Sequence, residues 1–534
     1  MENNLNSPES LPDNKDKDIE FPTIKPQFDI TLLKSDKIIS HLEELKQLPA
    51  PLPHGDILTT LIEQLAPVDF LMLAYPEIED IIKQYVKDGL TREQIDVLIA
   101  QKYKLSKAHY LIISIEQIQK IAESNQWGLC KNTNFIYLYN GNYWAELDKE
   151  TFQKFLGEAT EKMGVNRFTA RHYQFREQLF KQFLATAYLP TPEPKKDLVL
   201  INLLNGTFEV TPRGTKMRDF SRADFITYQL PFYFDPQATA PIFKKYLDRV
   251  LPDAKRQMIL AEFMGYVFMK HGGNNSKLEK VLVLFGLGAN GKSVLHEVVN
   301  ALLGSNNVSS YSIQSLTNEN GYFRAMLANK LVNYASEING NLQTSIFKQL
   351  ASGEPVEARL PYGQPFTLVQ YAKLIFNCNE LPKEVEHTNA FFRRFLIIPF
   401  DVTIPEPEQD RELHHKIIDA ELSGVFNWVL EGLYRLLKNK NFTRCEAVEK
   451  AQEQYEKLSD SVRLFLDDKE YRTSPNKWEL IKNLYTDYRS FCYEDGFRPV
   501  NKSNFIRRLQ GLNVVIERRN FGNVAFLIRN IESI

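Results

Sequence analysis

Long apolar runs are missing from this 534-residue sequence: no stretch approaches the roughly 20 residues that would cross a bilayer. The N-terminal residues are acidic and polar, without the basic-then-apolar layout of a signal peptide. Cysteine is scarce as well. Cys130, Cys378, Cys445 and Cys492 lie far apart, so no short-spaced zinc or redox pair exists, and reduced, mostly buried thiols are expected. Nor is there an excess of charge of either sign. The 65 Lys and Arg stand against 67 Asp and Glu, a formal net charge of −2, so any nucleic-acid surface must be local. These absences exclude a disulfide-stapled or globally basic chain and argue against a membrane partner. They point to a protein that works in the cytoplasm. The remaining composition, 43% hydrophobic and 25% charged, is that of a globular protein, and the length calls for three or four domains.

Residues 1–25 are rich in Asn, Asp, Glu, Ser and Pro and read as a disordered acidic tail. Helical periodicity marks 26–122, with Pro49, Pro51 and Pro53 interrupting it. A mixed, mainly helical domain is expected over 123–274, with strand–turn–strand signals at 135–147 and 199–210 and helical signals at 149–187 and 241–270. An α/β core follows at 275–440, and a small separate domain at 458–534.

The core opens on an apolar strand, ValLeuValLeuPhe (281–285), followed at once by GlyLeuGlyAlaAsnGlyLysSer (286–293) and a helical run to 303. This is the P-loop pattern in its strand–loop–helix setting. Gly286, Gly288, Ala289, Asn290 and Gly291 let the backbone wrap a phosphate chain, and amides at the helix start attract its charge. Lys292 is expected to reach the β- and γ-phosphates of ATP, and Ser293 to hold magnesium.

A second short apolar strand, 331–335, ends in Ser336 and Glu337. An acid at such a tip can polarise the water that attacks the γ-phosphate, which makes Glu337 the expected base and a second group near the metal. Asn377 or Asn379, at the end of the apolar run from Lys373, can hydrogen-bond both phosphate and water, although Asn also ends strands for local reasons. Arg393 and Arg394 precede a fourth strand, 396–400, where an arginine can enter a neighbouring subunit's site or make a surface ion pair.

In this order the motifs resemble superfamily 3 helicases, most closely the poxvirus and phage/plasmid primase-helicase branch. The matching stretches are 286–293, LeuValAsnTyrAlaSerGlu (331–337), 347–359, 373–382, PhePheArgArgPheLeuIleIleProPhe (391–400) and 421–432, within a likeness that covers roughly 120–534. The resemblance implies an α/β, AAA+-like ATPase with a parallel sheet, assembled as a ring, usually a hexamer, that moves 3′ to 5′ on single-stranded DNA. By position Asn379 matches the family's sensor asparagine, and Arg394 is favoured over Arg393 as the arginine finger. Residues 348–362 correspond to its DNA-contacting hairpin, with Tyr362 at the tip and Lys348 and Arg359 supplying charge. Stacking on a base and packing in the hairpin's own core are both open for Tyr362. The sequence departs from many P-loop motors in carrying Ser336 where an Asp precedes the base. Upstream of 120 it has no recognisable primase pattern, so priming is expected from a separate primase or other replication protein.

Helical signals at 461–468, 478–492 and 502–509, the last with Ser503 as N-cap, precede a hairpin pattern at 513–529 and suggest a winged helix. Residues 501–534 hold six basic residues, among them Arg507, Arg508, Arg518 and Arg519, against two acids, a balance that suits DNA phosphates. A protein-docking winged domain is the competing use. For the whole chain the leading expectation is a replicative helicase acting on single-stranded and forked DNA. A DNA-associated ATPase switch or scaffold is the alternative; a metabolic P-loop kinase leaves the C-terminal domain without a role.

Overall fold

A computed structural model describes residues 51–272, 277–336, 338, 342–382 and 387–529. The expected acidic tail at 1–25 lies outside the described residues. Helices α1 (His54–Gln64), α2 (Phe70–Ala74), α3 (Ile78–Lys87), α4 (Arg92–Lys102) and α5 (Lys107–Ser124) lead into a three-stranded antiparallel sheet of β1 (Gly128–Asn132), β2 (Phe135–Tyr139) and β3 (Trp144–Leu147). Helices α6 (Lys149–Lys162), α7 (Arg167–Arg171) and α8 (Tyr173–Thr186) follow. Strand alternation divides β2 between two cores. Ile136 and Leu138 join one built from α1, α2, α5, α6 and α8, while Phe135, Tyr137 and Tyr139 face the parallel sheet described below. The first of these cores runs from Ile57 to Ala187, so packing is continuous across the break expected near residue 122.

A second antiparallel sheet, β4 (Val199–Leu203), β5 (Gly206–Thr211) and β6 (Gly214–Arg218), adds a strand that the sequence pattern did not mark. The segment before the P-loop is therefore mixed rather than mostly helical. It ends in α9 (Pro241–Val250) and α10 (Ala254–Tyr266).

The centre of the molecule is a five-stranded sheet whose adjacent pairs all run parallel. After β7 (Val281–Phe285) come α11 (Lys292–Leu303), β8 (Val308–Ser309), α12 (Ile313–Thr317), α13 (Tyr322–Ala325), β9 (Val332–Ala335) and α14 (Thr344–Ser352). The hairpin β10 (Val356–Arg359) and β11 (Pro365–Leu368) precedes β12 (Lys373–Cys378), α15 (Asn389–Phe392) and β13 (Phe395–Pro399). Strand order is β13-β7-β12-β9-β8, so the chain leaves β7 for the far edge, returns, and then crosses β7 to add β13. Such a switch point leaves a crevice at the strands' carboxyl ends, the usual ligand position in open α/β sheets.

Alternation again assigns the faces. Leu282, Leu284, Ile375, Leu396 and Ile398 pack with α9, α10, α11 and the long α16 (Leu413–Asn439). Val281, Val283, Leu374, Phe376 and Ile397 pack with α14, α15 and Tyr455 of α17 (Glu446–Leu458). Helices α10 and α16 cross at their glycines: a Cβ on Gly432 would lie 2.2 Å from the Ala261 backbone, and one on Gly265 2.6 Å from Leu433.

Beyond α17 a separate core unites α18 (Ser461–Asp468), α19 (Ile481–Glu494) and α20 (Lys502–Gly511). Strands β15 (Glu479–Leu480), β16 (Ile516–Arg519) and β17 (Gly522–Ala525) form an antiparallel sheet in the order β15-β17-β16, while β14 (Tyr471–Thr473) pairs with β18 (Leu527–Arg529). Helix α20 is capped by Asn501, whose side chain accepts from Asn504 N, so Ser503 lies inside the helix rather than at its cap.

Candidate nucleotide-binding site

The β7 ladder continues one residue past the strand, with Gly286 N donating to Cys378 O at 3.0 Å, and then the chain turns. Only glycine fits at Gly286, because a Cβ would sit 2.5 Å from both Phe400 O and Asn290 Nδ2. Gly291 is left-handed at φ +85°, and its missing Cβ makes room for Val250. Ala289 takes a left-handed φ of +56° without that excuse, a strain of the kind that gathers at functional sites. Asn290 acts as an internal staple, donating to Leu287 O and to Phe400 O.

Lys292 opens α11 with its side chain folded into the loop, donating to Gly286 O, to Asn290 Oδ1 at 3.1 Å and to Leu287 O at 3.4 Å. These partners are neutral oxygens, and burial holds the ammonium below the usual lysine range. A desolvated cation beside the free amides of a helix start suits a polyphosphate. Gly288 fits it too, since a Cβ there would meet nothing within 4 Å. Ser293 is exposed in the first turn of α11 and can hold a magnesium ion on that phosphate.

The far wall of the loop comes from upstream, and sequence reasoning missed it. Tyr246 on α9 donates its hydroxyl to Gly291 O at 2.8 Å. Helix α9 is itself held by Glu421, whose carboxylate accepts from Ile242 N (2.9 Å) and Phe243 N (2.8 Å). No local pattern signals a contact 45 residues away.

Glu337 lies outside the described residues; the strand it follows, β9, ends at Ala335 opposite Phe376 of β12. Asn377 is half-buried and accepts from the Tyr334 hydroxyl at 3.0 Å, whereas Asn379 is exposed just beyond the strand.

Arg393 and Arg394 sit at the start of β13, with Val281 N donating to Arg394 O at 2.8 Å. Because β7 and β13 are parallel, this is the opposite end of the sheet from the P-loop, about 16 Å away along five residues. Neither side chain spans that distance to its own P-loop. The two also differ in exposure. The Arg394 side chain is buried, donating to Ser352 Oγ (2.8 and 3.1 Å) and to Ala390 O, whereas that of Arg393 is 53% exposed and pairs with Glu279 at 2.7 Å.

The hairpin β10–β11 is formed, but it begins at Val356, so Lys348 lies on α14 and not in it. Tyr362 is at the tip, fully exposed at 104% of its reference area and left-handed at φ +59°, which ends the alternative of a tyrosine packed in the hairpin core. Arg359 braces the turn by donating to Gly363 O at 2.9 Å. The base is anchored by buried Arg324, which donates to Leu316 O, Asn318 O and Glu357 O.

At the other end of β12, Lys373 is buried with Nζ 2.9 Å from Nδ1 of His271 and 4.3 Å from the centre of the Tyr266 ring. An ammonium only donates, so Nδ1 is the acceptor and the proton on Nε2 faces Tyr371 O at 3.1 Å. The Gln370 side chain, between the hairpin and β12, clasps the His271 backbone, its Oε1 accepting from His271 N at 2.9 Å and its Nε2 donating to His271 O at 2.8 Å.

Comparison with known proteins bears on this arrangement in two places. Residues 117–252, the segment that supplies α9, match the family described as D5 N terminal like, and residues 284–394 match a family of unknown function (DUF5906). Two viral proteins are similar to this chain: "Putative helicase 121R" of Invertebrate iridescent virus 3, 22% identical over 58% of this chain, and "Putative helicase L207/L206" of Acanthamoeba polyphaga mimivirus, 23% identical over 59%. These matches support a D5-like superfamily 3 helicase family for this chain. The chain spans 37% and 35% of the length of these two relatives. Apo structures of the NrS-1 C-terminal region overlap 77% of this chain and 98% of their own at 12–13% identity, with a TM-score of 0.41, too low to decide a shared fold.

In the C-terminal part of the chain, Arg508 is turned inward to the buried Asp460 at 3.1 Å, while Arg507 and Arg518 are exposed and Arg519 is half-exposed. All four cysteines are buried, and burial pushes the Cys130 thiol up to about 12. No group of metal-ligating side chains occurs among the described residues, and no helix there is long and apolar enough to cross a membrane.

Proposed function

We propose that this chain is an ATP-dependent DNA helicase: an AAA+-like P-loop motor that assembles as a ring, expected to be a hexamer. It tracks single-stranded DNA 3′ to 5′ and opens forks during replication of a phage, plasmid or other mobile element. One juxtaposition carries the reading. The hairpin bearing Tyr362 leads into β12, and the tip of that six-residue strand is hydrogen-bonded to the first residue of the P-loop. Chemistry at the phosphates and movement of the hairpin are thereby joined through one rigid element. A bulky side chain held left-handed in solvent has no folding rationale, and a base stacked on it supplies one.

In this mechanism Lys292 and the first amides of α11 bind the β- and γ-phosphates. Ser293 would hold a magnesium ion, which would supply positive charge to offset charge building on the phosphate oxygens. Glu337 takes a proton from water as its oxygen attacks the γ-phosphorus; the bond to the β–γ bridging oxygen breaks, and ADP and inorganic phosphate leave. Asn379 orients that water, since Asn377 is already engaged by Tyr334. Arg393 is assigned as the finger that completes the neighbouring subunit's site, and the buried Arg394 as the brace beneath it. Residues 461–529 follow the helix and strand order of a winged helix, with Arg507, Arg518 and Arg519 available to DNA phosphates. A separate primase or other replication protein completes the apparatus.

ATP turnover with and without single-stranded DNA, together with strand displacement on a fork, tests the reading. The wild type should show DNA-stimulated turnover and unwinding, and Lys292→Ala neither. Turnover without strand separation would refute the helicase in favour of a DNA-associated switch or scaffold. Normal turnover in Lys292→Ala would refute the site.

A further inference from the structure

The sheet of the C-terminal domain exposes an aromatic pair that neither the motor nor the basic surface requires. Strands β16 and β17 meet at a tight turn, with Arg519 opposite Gly522, and Phe521 sits on that turn with 60% of its surface exposed. Turn tips favour Gly, Asn, Asp or Ser, and a solvated phenyl ring there contributes little to folding. Trp478, 37% exposed, stands just before β15, which pairs with β17, and its ring reaches back to Phe521. The two rings lie 5.4 Å apart at 33°, nearly face to face. The Arg519 guanidinium lies over the Trp478 ring, 5.2 Å from its centre, and over that of Phe526 at 5.6 Å, which holds the indole in place and sets a cation against the aromatic pair. Lys477 and Arg518 are exposed on either side in sequence; Glu517 is spent on Arg519 at 3.6 Å.

We propose that Trp478 and Phe521 form a stacking platform for an unpaired base at a DNA fork, with Lys477, Arg518 and Arg519 on the flanking phosphates. This rests on the reading of the C-terminal domain as DNA-binding. Aromatic faces framed by cations match a nucleotide, whose base is flat and whose phosphates are negative, better than an apolar protein surface. Inside a duplex the base faces are covered by their neighbours, so the platform selects the fork over blunt double-stranded DNA.

The test uses the full chain and equilibrium binding at several salt concentrations to three probes: a blunt duplex, the same duplex with a single-stranded tail, and a fork. Phe521→Ser changes a solvated tip and leaves every cation in place. It should weaken tailed and forked binding by roughly five- to 150-fold, spare the blunt duplex, and leave the salt slope unchanged, because no phosphate contact is lost. Trp478→Leu should behave alike, and Phe521→Tyr should restore fork affinity. Arg507→Gln with Arg518→Gln should instead weaken all three probes and flatten the salt slope. Undiminished fork affinity in Phe521→Ser, or equal losses on fork and blunt duplex, would overturn the platform while the charge variant still upholds DNA binding. If the charge variant also binds all three probes as the wild type does, the DNA-binding reading fails and takes the platform with it.

Discussion

Replacing Lys373 by Met should change how the protein's stability responds to pH. The ammonium is buried at the start of β12 with a neutral imidazole and a tyrosine ring as neighbours, and desolvation lowers its pKa from 10.5 to about 7. The unfolded chain therefore holds this proton more tightly than the folded one, and stability rises with pH wherever that is so. The cost is fully present below the folded value and is relieved as pH climbs toward the unfolded value. Between pH 7 and pH 9 the group should return about 2 kcal/mol to the wild type, at 1.36 kcal/mol per unit less the part already titrated at pH 7. Lys373→Met has no such proton, so its stability curve should lack that rise. Burial also drives the His271 pKa well below 6.5, so its protonation in the unfolded chain adds a loss in acid that both proteins share. Urea unfolding of both proteins at pH 7, 8 and 9, read on the transition that reports the parallel sheet, gives the difference directly. A difference between wild type and variant that stays constant over this range would refute the argument. It would mean that Lys373 ionises as an ordinary lysine, through water or an acid reaching it.

Tyr362→Ala with Lys348→Ala should leave basal ATP turnover intact and abolish its stimulation by single-stranded DNA, with binding weakened by about 1–3 kcal/mol per lost stack; unchanged stimulation would move the translocation contacts off the hairpin. Arg393→Ala should bind ATP but lose hydrolysis by on the order of 10³-fold or more, and mixing it with Lys292→Ala subunits should restore partial activity at interfaces that join an intact P-loop to an intact finger. No recovery in demonstrably mixed assemblies would show that Arg393 is not a finger in trans.

The P-loop was legible because it is local: five apolar residues, a glycine-rich turn and an amphipathic helix follow one another without a gap, and β7 and α11 fall where that pattern puts them. The hairpin was legible in position only. Whether Tyr362 points into solvent depends on a left-handed φ that sequence does not announce for tyrosine. The sequence favours Arg394 over Arg393 as the finger without sight of Ser352 and Glu279, which engage the two side chains from 42 and 114 residues away and leave Arg393 the more exposed. Arg508 counted among the DNA-facing cations for the same reason, its partner Asp460 being 48 residues upstream. Ser503 is available as a cap by residue type, but the helix starts earlier and Asn501 caps it, since either side chain can accept from a helix amide.

The grip of α9 on the P-loop limits how this protein can be dissected. A fragment beginning near 275, where the nucleotide motif's own domain was expected to start, would lose the Tyr246 hydroxyl from Gly291 and expose Leu282, Leu284 and Leu295 where residues of α9 and α10 cover them. The similarity to the D5 N-terminal segment stops at residue 252, on the near side of that contact. A recombination event at the boundary would thus have to import a matching tyrosine helix along with the motor. Upstream segment and motor should consequently be inherited together, and the shortest piece to retain nucleotide should begin near 199, ahead of β4, rather than at the first strand of the motor.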